Sequence, residues 1–141
     1  MAYATQADMI ALFGENTVIN LTDRAATGSI NTAVLASAIT SAEGEIDSYI
    51  GAVYELPLPS TTDMLMTVCC NIARFRLMAL EASEEVKIRY EDSIRWLRDV
   101  ARGVATLGLK TTDVQPVGGP VVVQSRTQVF TDDIFDKMNL A

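Results

Sequence analysis

Histidine is absent from all 141 residues, and this excludes more than any motif present. Without imidazole the chain lacks the commonest general base at neutral pH and the commonest metal ligand. Cysteine is scarce as well. Cys69 and Cys70 are adjacent, which rules out an ordinary disulfide between them. Their apolar surroundings predict buried free thiols, in keeping with a reducing cytoplasm. Lysine and arginine are missing from residues 25–73, where Glu43, Glu45, Asp47, Glu55 and Asp63 fall. Residues 74–110 carry eight basic groups against six acidic ones, so the two parts can attract each other or a neighbour. A net charge of −7 disfavours a primary role in holding nucleic acid phosphates. No run reaches the roughly 18 uncharged apolar residues of a membrane span. The most apolar one, residues 64–80, is interrupted by Asn71, Arg74 and Arg76. The opening MAYATQADMIALFG lacks the basic and long apolar regions of a signal peptide.

What is present is a core. Apolar residues make up 49% of the chain, enough for one globular domain. The pattern predicts a mainly α fold, a small bundle of about four helices over residues 1–109. An extended, β-prone arm over residues 110–141 ends in a short helix. Thr5 caps a short helix closed by Gly14, and a further turn covers residues 15–20. Asn31 caps a long helix, with Ile30 and Leu35 as a hydrophobic staple. Its buried face is Leu35, Ile39, Ala42, Ile46, Tyr49, Ile50 and Val53. Leu56-Pro57-Leu58-Pro59 breaks the helix, and residues 60–62 offer caps for the next. That helix is apolar nearly all round, through Met64, Leu65, Val68, Cys69, Ile72, Phe75 and Leu77, as suits a central position. Ser83 starts the last core helix, with Glu84 and Glu85 at its positive end. Its stripe is Val86, Tyr90, Ile94, Leu97, Val100 and Val104, with Glu85–Arg89, Glu91–Arg95 and Arg95–Asp99 as charge pairs. Gly103 or Gly108 ends it.

No catalytic, metal or cofactor site is expected. The loop from Asp23 has the outline of an EF-hand, with Gly28 at its sixth position. Ala25 and Val34, however, stand where calcium needs oxygen ligands. Gly28 is read as a turn residue and Asp23 as a local cap. Gly118-Gly119-Pro120 lacks the Lys and helix of a phosphate loop.

One surface pattern stands out. Ser37, Ser41, Gly44, Ser48 and Gly51 lie within about 80° of one another on the long helix, opposite its core face. Such a strip is either a small polar solvent face or a place where another helix approaches closely. Interior glycine costs about 1 kcal/mol relative to alanine, which favours some compensating contact. Glu43, Glu45 and Asp47 flank the strip and could meet basic residues of a neighbour's last core helix in a head-to-tail ring. Ile88 and Trp96 lie off the stripe of that helix and are candidates for the same contact. In the arm, Val121, Val122, Val123, Val129, Phe130, Ile134, Phe135 and Met138 are costly to leave in water and favour docking on another surface. Strand addition followed by a small helix in a groove suits this pattern.

Three stretches, YATQADMIALFG, NLTDRAATGSINTAVLASAITSAEGEIDSYIGAVYELPLP and RYEDSIRWLRDVARGVATLGL, together resemble the Mu-type prophage family of small head–tail neck proteins. The likeness covers about residues 3–109 and continues loosely through SRTQVFTDDIF. It implies a non-enzymatic head-completion adaptor of a tailed bacteriophage, assembled in the host cytoplasm and housed in the virion. It further implies a homo-oligomeric ring, commonly twelvefold, below the portal and above tail or neck proteins. The arm would clasp the portal or neighbouring subunits, and packaged DNA would pass without sequence-specific binding. The alternatives are a tail-terminator or tail-joining protein, and a helical regulatory or nucleic-acid-binding subunit.

Overall fold

The computed structural model describes residues 2–109, and the arm residues named above lie outside them. Five α-helices follow one another: α1 (Gln6–Phe13), α2 (Glu15–Thr22), α3 (Thr32–Ile50), α4 (Asp63–Met78) and α5 (Glu84–Ala101), with a 3-10 turn at Ala79–Glu81. The mainly α expectation holds. The expected turn after Gly14 is a helix in its own right.

Each helix begins where local chemistry places it. Thr5 and Asp8 form a reciprocal capping box at α1. Asn31, Thr62 and Ser83 accept from the backbone N–H three residues on, at Val34, Leu65 and Val86. Gly14, at φ +87°, separates α1 from α2 and donates its N–H to Ile10 O at 2.8 Å. Such a φ is open to glycine and strained for other residues. The buried Thr22 hydroxyl links α2 to α3: it donates to Val18 O and accepts the Asn31 N–H at 3.1 Å. Gly103, at φ +75°, ends α5. Its N–H reaches Val100 O at 3.0 Å while that of Val104 reaches Asp99 O at 2.8 Å, the paired bonds of a Schellman motif.

α4 is the central element, touching α1, α2, α3 and α5 and burying Leu65, Val68, Cys69, Cys70, Ile72 and Ala73. Onto it pack Met9 of α1, Val18 of α2, the Leu35–Ile39–Ala42–Ile46–Ile50 stripe of α3, and Ile94, Leu97 and Val100 of α5. Beyond α5, Leu107 returns to the core and is buried.

Several expectations need correction. Met64 is exposed, because it sits in the first turn of α4 before the neighbouring helices close over it. Val104 is 76% exposed, because the helix has already ended at Ala101. Arg95 pairs with Asp92 at 3.1 Å, one position nearer than Glu91, while Glu85–Arg89 forms at 3.0 Å as expected. No Arg95–Asp99 pair forms among the described residues. Trp96 is half-buried and packs against the core.

Candidate interaction surface

Two polar clamps hold α3 in place from opposite sides. On one side the N-terminal segment crosses it. Tyr3 is buried, its N–H donates to Glu43 Oε1 at 2.9 Å, and its hydroxyl donates to Asp47. Burial, followed by the bond to Asp47, pushes the Tyr3 phenol upward. On the other side Glu45 accepts from Arg76 Nη2 at 2.6 Å and from the Tyr90 hydroxyl at 2.9 Å. The Tyr90 ring stacks on Phe75 with centroids 4.1 Å apart. One carboxylate thus joins α3, α4 and α5. Burial first, then the Glu45 bond, pushes the Tyr90 phenol up to about 12.

These clamps revise the expected ring contact. Glu43, Glu45 and Asp47 are engaged within their own chain, so they are not a free acidic row awaiting a neighbour's bases. The clamps also have a pH signature. Unfolded tyrosine ionises near 10 and folded Tyr90 near 12, so the neutral phenol's stabilisation is complete below about 10 and lost as pH climbs to about 12. Thermal melts should be flat in this respect up to pH about 10 and fall above it, in step with phenolate absorbance.

Between the clamps the outer face of α3 is bare. Ser37, Ser41, Gly44 and Ser48 are exposed and Gly51 is half-buried. The two glycines differ in kind. A Cβ on Gly51 would lie 2.8 Å from Asp47 O and 3.2 Å from Leu56 Cδ1, so the domain's own turn requires glycine there. A Cβ on Gly44 would meet nothing within 4 Å. Gly44→Ala should therefore raise the subunit's stability by about 0.5–1 kcal/mol, whereas Gly51→Ala should lower it. Paired urea titrations check this contrast.

Grooves border the strip on both flanks. One, of about 350 Å³, runs between α3 and the N-terminal segment past Ala4, Gln6, Ala36, Ile39 and Thr40. The other, of about 490 Å³, lies between α3 and the end of α4, with Arg24 and Arg76 beside Val34, Ser37, Ser41 and Leu77. Ile88 stands 50% exposed on α5. Trp96 is partly committed to the core, so the two candidates on α5 are not equivalent. No spacing rule points to the Tyr3 clamp. The one available hint is that Glu43 and Asp47 share a helix flank at a separation of four.

The remaining chemistry is quiet. Asp23 accepts from the backbone N–H groups of Thr27 and Gly28 at 2.9 and 2.6 Å, the local capping that the sequence predicts. Those bonds hold its carboxyl below the usual range. Cys69 and Cys70 are buried free thiols, both pushed up by burial, Cys70 to about 12. Among the described residues no three His, Cys, Asp or Glu side chains converge as metal ligands. No described helix is long and apolar enough to cross a membrane.

Comparison with known proteins agrees with the resemblance. The family described as "Bacteriophage Mu, Gp36" matches residues 3–125. The chain is 34% identical over 134 residues to "Gene product J" of Escherichia phage Mu, covering 93% of this chain and 95% of that one. It is 40% identical over 85 residues to "Mu-like prophage FluMu protein gp36" of Haemophilus influenzae, covering 60% of each. With a family match across most of the chain and a relative matched nearly end to end, this helical protein belongs to the bacteriophage Mu Gp36 family.

Proposed function

We propose that the protein is a head-completion adaptor of a Mu-type phage. Its copies form a ring below the portal and dock there through residues 110–141. The observation that carries this reading is the exposed outer face of α3, where a helix-interior glycine at position 44 serves no contact within the subunit. Glycine at such a position costs helix stability, and a closely approaching second helix would compensate for it. A neighbour's α5, led by Ile88, lies against this face in a heterologous, ring-closing contact. The charge of −7 suits a passage that repels the DNA backbone and reads no sequence. In the arm, Val121, Val122, Val123, Val129, Phe130, Ile134, Phe135 and Met138 supply the apolar surface that docks on the portal.

Removing the coding sequence from its phage tests this directly. An adaptor's loss leaves DNA-filled heads and complete tails that do not join, and purified protein added to the lysate joins them. Tails of uncontrolled length would favour a terminator instead. Unjoined particles that added protein cannot rescue would also count against the adaptor. Loss of late transcription would favour a regulator.

A further inference from the structure

We propose that residues 131–136 of the chain's own C-terminal stretch, Thr-Asp-Asp-Ile-Phe-Asp, dock in the free subunit into the groove between α3 and the end of α4. The groove, of about 490 Å³, offers Val34, Ala38 and Leu77 as apolar surface and Arg24 and Arg76 as cations, with no carboxylate in its lining. Arg24 is exposed and forms no ion pair among the described residues. The side chain of Arg76 keeps 40% of its surface exposed while one Nη holds Glu45. Within residues 110–141, only residues 131–136 bring carboxylates together: Asp132, Asp133 and Asp136 surround Ile134 and Phe135, with no base among them. Paired aspartates beside two large apolar side chains complement paired arginines beside an apolar floor. The groove at Tyr49, Ile94, Arg95 and Arg98 fits less well, because Glu91 lines it and Arg95 is held by Asp92.

Reach and concentration favour the chain's own segment over a second copy's. The 22 residues between Leu109 and Asp132 can extend to about 75 Å, beyond the diameter of a domain this size. A tether of that kind gives an effective concentration in the millimolar range, above that of free subunits in dilute solution. Ser37 and Ser41 belong to both the groove and the bare strip of α3. A docked segment therefore covers part of the face that a neighbour would use, and free subunits stay single until the portal draws the segment away. That consequence rests on the adaptor reading; the docking itself does not.

Hydrogen exchange on the full chain at low micromolar concentration tests the docking. Amides of residues 131–136 should exchange at least tenfold more slowly than in a free peptide of the same sequence. Arg24→Glu, and separately Asp132→Lys with Asp133→Lys, should each abolish most of that protection, and combining them should restore it. Unchanged melting of Arg24→Glu shows that the fold is intact. Peptide-like exchange in the wild type, protection indifferent to Arg24→Glu, or protection that grows with protein concentration would each overturn intramolecular docking. Protection without portal binding would count against the adaptor reading alone, and portal binding without protection against this inference alone.

Discussion

Gly44→Leu is expected to abolish ring formation while leaving each subunit at least as stable as before. The isolated helix gains, because leucine is favoured over glycine in a helix interior by about 0.8 kcal/mol. The open surroundings of position 44 accept the side chain without a clash in its own domain. A second helix seated on the strip would have to withdraw. Overpacking a close contact costs about 1–3 kcal/mol, and a ring repeats that cost at every interface. Mass measurement with portal rings present, set beside thermal melting of the subunit alone, separates the two effects. A variant that melts higher yet forms no ring on the portal, where the wild type does, identifies the strip as a contact face. Normal assembly of the leucine variant would make it an ordinary wet surface.

Tyr3→Ala carries the largest expected effect on the subunit itself, a loss of about 3–5 kcal/mol. Globular domains are stable by only about 5–15 kcal/mol, so much of the margin would go. The ring is 2% exposed, and its removal leaves a void beneath the N-terminal segment. It also leaves the Asp47 carboxylate without the hydroxyl it accepts from, and loosens the N-terminal segment whose N–H bonds Glu43. Tyr3→Phe keeps the packing and loses one hydrogen bond to a charged group, worth about 1.5–3 kcal/mol in a buried setting and less here, where the bond is partly exposed. Urea denaturation of the two variants should therefore rank alanine well below phenylalanine. Equal midpoints would mean that the segment before α1 contributes little to the core.

The helix starts and stops were legible because they are written locally. A hydroxyl or amide at Thr5, Asn31, Thr62 or Ser83 finds its backbone partner three residues away, whatever the rest of the chain does. The stripe of α3 was equally plain, since its periodicity is a property of one segment. The clamps were not. Tyr3 meets Glu43 and Asp47, and Glu45 meets Arg76 and Tyr90, across 31 to 45 residues of sequence, and no pattern within one helix encodes those meetings. Without them the three acids resembled surface charges awaiting a partner. Gly51 and Gly44 likewise looked equivalent on the helical wheel. They differ because Leu56, beyond the end of α3, folds back onto one of them. Met64 and Val104 followed the periodicity of their helices but sit at ends that the bundle does not cover.

The decisive measurement is the mass of portal rings mixed with the full chain and, in parallel, with a chain ending at Leu109. Every core side chain described above lies before that point, so the shortened chain should keep its helical signal and melting behaviour. The full chain should add a fixed number of copies to each portal ring, and the shortened chain none that survive dilution. Equal loading by both chains would remove residues 110–141 from the joint, and no loading by either would contradict an adaptor seated on the portal.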